Sequence, residues 1–150
     1  MQLISKRPAA VARLRGSGDY AGLTGSVRFY QFPGGILVEA DIVGLPNNGC
    51  GFYGFHIHEG ANCAGKDFPA TGGHLGSRSA PHPRHAGDLP PLLSRNGRAY
   101  MTVMTDRFSI RDVLGRTVVI HGSPDDFTTQ PAGNAGQKIA CGTIERKRDC

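Results

Sequence analysis

The sequence predicts an all-β protein, an antiparallel β-sandwich or barrel, and three observations support this. Its 150 residues fit one domain spanning residues 1–150 and can bury a sizeable core. The chain contains 22 glycines and 10 prolines, so turns are frequent along it. Short strand-like segments recur between those turns, and only one short segment has helical character. This combination favours short strands joined by loops over a helical bundle.

Seven segments have the alternation or the β-branched and aromatic content that is typical of strands. They cover residues 9–15, 26–32, 36–43, 53–59, 99–105, 117–121 and 138–144. Pro33, Gly34 and Gly35 predict a turn between the second and third of these strands. Residues 109–114 predict a helical turn with Ser109 as its N-cap. Long loops account for most of the remaining chain.

Composition excludes a membrane-spanning protein and bears on where the chain resides. No apolar run reaches the roughly 18 residues that a transmembrane helix needs, so we expect no membrane association. The N-terminal residues lack the apolar core and the small-residue cleavage site of a secretory signal. The sequence as written therefore predicts a cytoplasmic protein, and an extracytoplasmic one if a leader has been removed.

The charge of the chain is positive, with a formal net charge of +5 at pH 7. Such a charge can simply keep the surface soluble, or it can steer an anionic small substrate towards a site. Nucleic-acid binding is the weaker interpretation. The basic residues are scattered except in residues 145–148, and no basic-aromatic motif is present. We therefore expect no nucleic-acid partner.

Four cysteines occur, at positions 50, 63, 141 and 150, and no two of them form a CxxC pair. This spacing argues against a zinc ribbon and against a thioredoxin-like redox motif. At most, two of the four form a structural disulfide.

His56 and His58 lie two residues apart on a predicted strand. Alternate residues of a strand point to the same face, about 6.5–7 Å apart, which suits two ligands of one metal ion. The same pattern also fits two exposed histidines at a strand edge. For this pair alone, the exposed interpretation is the stronger one.

The loop GGHLGSRSAPHPRHAGD (residues 72–88) favours the metal interpretation. His74, His82, His85 and Asp88 supply three nitrogen ligands and one oxygen ligand, the number that a closed tetrahedral zinc site needs. A segment so rich in glycine and proline is a poor core element, but it can wrap around an ion whose binding energy offsets the cost of ordering it. A solvated loop that is merely rich in histidine is the alternative.

His121 ends another predicted strand, so all six histidines lie in or beside this candidate site. Asp125 and Asp126 follow four and five residues later. They fit surface turn residues, which is a common use of aspartate after proline. They also fit acceptors of hydrogen bonds from metal-binding histidines.

Five motifs together resemble the copper/zinc superoxide dismutase family, and they come in the order that the family has. They are GFHIHE (54–59), GGH (72–74), HAGDLP (85–90), VVIH (118–121) and GNAGQKIACG (133–142). The spacing in HIHEGANC is similar to that of the bacterial branch. The resemblance implies a Greek-key β-sandwich, a flattened eight-stranded antiparallel barrel with long metal-binding and channel loops. It also implies superoxide as substrate and allows a homodimer.

The resemblance implies a role for each matching residue. His56, His58, His74 and His121 would bind copper, and His74 would bridge it to a zinc ion. His82, His85 and Asp88 would complete the zinc site. Asp125 would link a copper histidine to a zinc histidine, and Cys63 and Cys141 would form the intrasubunit disulfide. Cys50 and Cys150 match no family role, so we expect free thiols.

Two departures from the family pattern carry expectations of their own. Most members have an arginine three residues before the second disulfide cysteine, whereas this chain has Lys138. Lysine keeps the positive charge that attracts superoxide but lacks the planar fork of arginine, so we expect activity to survive at a reduced level. The gap between His82 and His85 is shorter than in many members, and we expect the largest difference from the family pattern there.

Two rival functions fit parts of this pattern. A superoxide-dismutase-like domain could bind copper and zinc without turnover, and loss of a copper histidine would favour it; all are present here. A mononuclear zinc hydrolase would need an open zinc position beside a carboxylate base, which a site with four protein ligands does not offer.

Overall fold

The computed structural model describes residues 4–148, and within that range the chain forms nine strands. They are β1 (Ala10–Gly16), β2 (Thr24–Phe32), β3 (Gly35–Val43), β4 (Phe52–Tyr53), β5 (Phe55–His58), β6 (Leu92–Leu93), β7 (Ala99–Thr105), β8 (Thr117–His121) and β9 (Lys138–Arg146). One helix, α1 (Ile110–Val113), and two 3₁₀ turns, Gly18–Tyr20 and Pro69–Thr71, complete the regular structure of this part. None of its helices is long and apolar enough to cross a membrane.

The seven predicted strands are present, but the one predicted over residues 53–59 is interrupted. It divides into β4 and β5 at Gly54, whose backbone pairs instead with the end of β8 and the residues just after it: its N–H donates to Ser123 O, and its carbonyl accepts from the N–H of His121, the last residue of β8. A Cβ at Gly54 would lie 2.6 Å from the Cβ of Ala135. The glycine therefore allows the loop after β8 to lie directly against this strand.

The helix prediction also holds. Ser109 caps α1 through a reciprocal pair of hydrogen bonds with Asp112, in which each side chain accepts from the backbone N–H of the other residue. The two-residue strand β6 was not predicted, because Leu92 and Leu93 are too short a run to show alternation.

The strands form a curled antiparallel sheet in the order β5-β8-β9-β1-β2-β3-β7, together with a β4–β6 pair. β4 continues β5 at one edge of the sheet, and its partner β6 lies against β7 at the other edge. Counted as one interrupted strand, β4 and β5 bring the total to eight. The connections β3–β4 and β7–β8 cross between the two sides, as in a Greek key. The predicted fold class is confirmed.

Alternate residues of the sheet form the core between its two sides. Val27 and Phe29 of β2 lie opposite Ala40 and Val38 of β3, and all four are fully buried. Phe108, just before α1, packs edge-on against Phe29 with ring centroids 6.3 Å apart. The main core extends along the chain from Ala10 to Ile144, so it provides a rigid support for the loops that leave the sheet.

Two long loops leave the barrel on the side of β5 and β8. Residues 59–91, between β5 and β6, are called the metal loop below, and residues 122–137, between β8 and β9, the channel loop. Cys63 of the metal loop forms a disulfide with Cys141 of β9. The bond ties the start of this loop to the last strand of the barrel.

Candidate metal centre

The first group of candidate ligands lies on β5 and β8, two neighbouring strands whose residues are all buried. His56 and His58 point to the same face of β5, with ring centroids 6.3 Å apart. This agrees with the strand geometry predicted from the sequence. His121 ends β8 and brings its ring to within 5.4 Å of His58, centroid to centroid.

The metal loop reaches the same place by running beside the free edge of β5. Ile57 N–H donates to Gly87 O, and the carbonyl of Ile57 accepts from Leu75 N–H, both at 2.9 Å. These bonds satisfy the edge of the strand, as a neighbouring strand would. They also place His74 opposite His58 and Asp88 opposite His56.

Four histidines form the first cluster, with one nitrogen from each lying within 4.8 Å of the others: His56, His58, His74 and His121. His58 Nδ1–H donates to Gly72 O at 2.8 Å, and His121 Nδ1–H donates to Gly136 O at 3.2 Å. Their Nε2 atoms then carry lone pairs that face each other at 3.2 Å. Two facing lone pairs repel unless a cation lies between or beside them, so this cluster fits a metal ion.

The second cluster consists of His74, His82, His85 and Asp88, whose ligand atoms also lie within 4.8 Å of one another. One carboxylate oxygen of Asp88 lies 2.7 Å from His74 Nδ1, and the other lies 3.2 Å from the Nδ1 atoms of His82 and His85. The short gap between His82 and His85 therefore does not keep either residue out of the cluster. Three nitrogens and one oxygen match the ligands of a closed zinc site.

Buried atoms without hydrogen-bond partners test whether these residues fit metal ions. In the described part of the chain such atoms include His56 Nδ1, His74 Nε2 and His82 Nδ1. An unpaired buried polar atom costs free energy, and native proteins rarely leave three of them close together. Each belongs to a cluster residue, and His74 turns Nδ1 to the second cluster while Nε2 is unpaired. The residues fit two ions that share His74 as a ligand.

Burial sets the protonation states of the first cluster. It lowers the pKa of His58 to about 2 and that of His121 to about 3, and it also lowers the pKa of His56. Positive charge on the neighbouring histidines would act in the same direction. These imidazoles are therefore neutral at pH 7, which is the form that binds metal ions.

Comparison with known proteins agrees with this geometry. The family model of copper/zinc superoxide dismutase matches residues 23–144. The chain belongs to the copper/zinc superoxide dismutase family. Two bacterial relatives are the superoxide dismutase [Cu-Zn] of Deinococcus radiodurans, 35% identical, and that of Legionella pneumophila, 34% identical. The alignments cover 82% and 81% of this chain, and 78% and 77% of those proteins.

A solved structure shows the same fold. It is a double mutant of a SOD-like protein from Bacillus subtilis, with a TM-score of 0.77 and 28% sequence identity, and the match covers 88% of this chain and 94% of that one. The chain is thus a member of an oxidoreductase family. The family's name specifies copper and zinc, and the two histidine-containing clusters of this chain could bind these two metals.

Asp125 connects the two clusters, in the place that the family resemblance implies. Its carboxylate oxygens lie 2.7 Å from His56 Nε2 and 2.8 Å from His82 Nε2. Burial alone would raise the pKa of Asp125, but the hydrogen bonds from these two histidines hold it well below its ordinary value. The carboxylate is therefore ionised and fixes both rings, leaving each Nδ1 for a metal.

Gly133 makes room for this link. It has a φ of +73°, and a Cβ there would lie 2.1 Å from Asp125 Oδ1 and 2.6 Å from His82 Nε2. Any larger residue would push the carboxylate away from the histidine. The neighbouring Asp126 has a different role: it is exposed and accepts hydrogen bonds from Thr128 and Thr129 in a surface turn.

Lys138 lies at a cavity of about 620 Å³ that is also lined by three histidines of the first cluster, His58, His74 and His121. Its Nζ donates to Thr71 Oγ1 at 2.7 Å and to Gly72 O at 3.2 Å. Gly72 O also accepts the proton of His58 Nδ1. The lysine is thus held beside the first cluster, although partial burial lowers its pKa.

Gln130 belongs to the site but was not predicted from the sequence. Its side-chain amide donates to His82 O at 2.7 Å and accepts from His82 N–H at 2.9 Å. This pair of hydrogen bonds joins the channel loop to the metal loop at a candidate zinc ligand. No motif marks such a role, because a lone glutamine in a polar loop looks like any surface residue.

The cysteines divide as the sequence and the resemblance predict, as far as the structure describes them. Cys63 and Cys141 form the disulfide, with a Cα–Cα distance of 5.8 Å. Cys50 is an exposed free thiol. Cys150 lies outside the described residues.

Proposed function

We propose that this protein disproportionates superoxide, converting two superoxide anions and two protons into dioxygen and hydrogen peroxide. His56, His58, His74 and His121 would hold copper, and His74, His82, His85 and Asp88 would hold zinc. Copper, when bound, supplies the one-electron oxidation of one superoxide and the one-electron reduction of the next. The observation that carries this proposal is the pair of four-ligand clusters joined by His74, with unpaired nitrogens in both.

His74 is the proposed proton carrier. Its Nδ1 faces Asp88 in the second cluster, and its Nε2 is buried in the first cluster without a hydrogen-bond partner. That nitrogen can hold a proton in one half of the cycle and release it to the reduced product in the other. Asp88 keeps the ring oriented while the proton moves.

Lys138 is the proposed substrate-guiding charge. It lines the cavity that leads to the first cluster, and its amine is held there by two oxygen acceptors. A fixed positive charge at this cavity raises the encounter rate with a small anion, and salt screens this effect.

A non-catalytic copper/zinc-binding domain is the second candidate, and one comparison favours it. The copper chaperone for superoxide dismutase of Rattus norvegicus is 33% identical to this chain. The alignment covers 92% of this chain and 53% of the chaperone. Against this candidate, the four histidines of the first cluster are present and converge. A zinc hydrolase is less well supported, because the second cluster offers four protein ligands and hence no open position.

Metal analysis together with a superoxide-decay assay on the remetallated protein tests the proposal. We expect one copper and one zinc per chain and rapid decay of superoxide. His121→Gln should lose copper and activity while it keeps zinc. A protein with stoichiometric copper and zinc but no activity would be the non-catalytic domain. One zinc without a copper site would contradict the two-metal centre.

The cellular compartment and the oligomeric state of the protein are two further proposals. The Cys63–Cys141 disulfide is typical of oxidising compartments, so it favours an extracytoplasmic location over the cytoplasm. A homodimer is consistent with the family resemblance. Fractionation of the native cells and sedimentation of the purified protein test these two points.

A further inference from the structure

A groove with many basic residues lies on the outer side of β1 and β9, away from the metal centre. Its volume is about 1170 Å³. Five basic side chains line it, together with a single acidic one, Glu145: they are Arg13, Arg15, Arg146, Lys147 and Arg148. We call it the basic groove. It includes the C-terminal basic run noted in the sequence and adds two arginines that are far from this run along the chain.

The charges of the basic groove are available to a ligand. The five basic side chains are exposed. Within residues 4–148, none of them forms a salt bridge or a side-chain hydrogen bond. Among the described residues that line the groove, five positive charges and one negative charge leave an excess of +4, in a chain whose net charge is +5. A concentration of unpaired cations on one concave surface attracts an anionic partner more strongly than scattered charges do.

The floor of the groove indicates what kind of anion fits. Two of its residues, Ala64 and Gly115, are small and exposed, and the half-buried Val11 and Leu114 add apolar surface. No aromatic side chain lines the groove, so it lacks the stacking platforms that proteins use for single-stranded nucleic acids. Both β1 and β9 are paired on both sides, so a partner cannot add a strand and must be recognised by side chains.

We propose that the basic groove binds an extended acidic segment of a partner polypeptide. Arg13 and Arg15 are alternate residues of one strand, so their side chains emerge about 6.5–7 Å apart. Alternate residues of an extended peptide have the same spacing, so two carboxylates of a Glu-X-Glu pattern match the two guanidinium groups. Arginine binds a carboxylate with two parallel hydrogen bonds, and the apolar floor can contact the intervening side chains.

A second copy of this chain is a poor occupant. In a two-fold symmetric dimer the same patch packs against itself, which would bring ten cations together. An acidic partner instead neutralises them. This surface is therefore suited to a different protein.

Occupation of the basic groove leaves the metal centre accessible. Lys138 and Arg146 are the two ends of the nine-residue strand β9, so they lie roughly 26 Å apart. The residues that line the basic groove and those that line the cavity at Lys138 do not overlap. Peptide binding at the basic groove is thus independent of the proposed activity at the metal centre.

Fluorescence anisotropy with a labelled, alternating Glu-Ala peptide of about ten residues, added to the metal-loaded protein, tests the proposal. We expect saturable binding that weakens as salt is added. The double variant Arg13→Ser/Arg15→Ser should bind the peptide about tenfold more weakly or worse. The matched control Arg95→Ser/Arg111→Ser removes two exposed charges elsewhere and should change the affinity by less than about twofold.

Thermal unfolding of each variant by circular dichroism shows whether it is folded, and Arg15→Lys, which keeps the charge, should retain most of the binding. Equal losses in the two double variants would contradict the proposal, because net charge alone would then govern binding. Tighter binding of an oligodeoxynucleotide, heparin or anionic phospholipid vesicles at the same residues would overturn the assignment of a peptide ligand. Absence of saturable peptide binding would overturn it as well.

Discussion

Lys138 shows how one substitution in the family pattern can preserve a charge while it changes a contact. Its amine has two acceptors, Thr71 Oγ1 and Gly72 O, and these hold it at the cavity beside the first cluster. An arginine at this position would have five donors in a planar fork, enough to keep those two bonds and still present N–H groups to an anion. The lysine has three donors and uses two of them on the protein.

Substitution of Lys138 tests this role. Lys138→Gln should lower kcat/KM severalfold at low salt and weaken its dependence on salt, because the guiding charge is lost. Lys138→Arg should exceed the wild type, because it adds donors at an unchanged charge. Pulse radiolysis over a range of ionic strength gives both quantities.

The matched control is Lys147→Gln, which removes the same charge in the basic groove, beyond the opposite end of β9. It should leave kcat/KM nearly unchanged. An effect as large as that of Lys138→Gln would mean that total charge, rather than a charge at the cavity, governs the rate. An unchanged rate in Lys138→Arg would mean that the geometry of this residue is irrelevant.

At the level of elements, the centre depends on two loops that hold each other. The metal loop supplies four of the seven candidate ligands, and the channel loop supplies Asp125 and Gln130, which contact His82 from two sides. Asp125 fixes the ring of His82 and Gln130 fixes its backbone. A ligand held at both places is preorganised for metal, and outer partners of this kind affect affinity about 10- to 100-fold.

Gln130→Ala should therefore weaken zinc binding about tenfold, because His82 loses both backbone hydrogen bonds to the channel loop. Competition with a chelator of known zinc affinity measures this directly. The control is Gln137→Ala in the same loop, where the amide donates to the exposed Asp67 and, within residues 4–148, forms no hydrogen bond with a candidate ligand. Equal zinc affinities in wild type and Gln130→Ala would show that the loops stay docked without this amide.

The disulfide is the covalent part of this docking. It closes a segment with a sequence separation of 78 residues. On the chain-entropy account, a loop of this length contributes roughly 4 to 5 kcal/mol to the free energy of unfolding, as an upper value. The double variant Cys63→Ser/Cys141→Ser should lose up to that amount in urea denaturation, whereas Cys50→Ser, at an exposed free thiol, should change little. A loss below about 1 kcal/mol would mean that the unfolded ensemble already keeps these two parts of the chain close together, so that the disulfide restricts it little.

For the whole molecule, the strands and ligands that follow local rules could be predicted from the sequence. The strand-like segments and the turn residues between them predicted β2 and β3, and the spacing of His56 and His58 placed both on one side of β5. The contacts that close the centre could not be predicted in this way. Gln130 meets His82 across 48 residues, and the basic groove combines arginines of β1 with the end of β9. Such contacts between residues distant in sequence depend on the strand order, which local sequence patterns do not encode.

The burial of six histidines in one site also has a consequence for the stability of the whole chain. In the metal-free protein the pKa of His58 is lowered to about 2 and that of His121 to about 3, whereas both are near 6.5 in the unfolded chain. Below about pH 6.5 these two histidines are therefore protonated in the unfolded chain but not in the folded chain. Because the unfolded chain binds more protons, the free energy of unfolding must fall as the pH falls.

Each such histidine contributes a slope of about 1.4 kcal/mol per pH unit once it is protonated in the unfolded chain, down to its folded pKa. Urea denaturation of the chelator-treated, disulfide-intact protein between pH 6.5 and 4.5 should show this decline. In His58→Gln the slope of the free energy of unfolding against pH should be smaller by the contribution of one histidine, because glutamine does not titrate. This holds whatever the overall stability of the variant. Parallel curves for wild type and His58→Gln would contradict the neutral, buried state of His58, since a histidine that is free to protonate in the folded chain adds no pH dependence to folding.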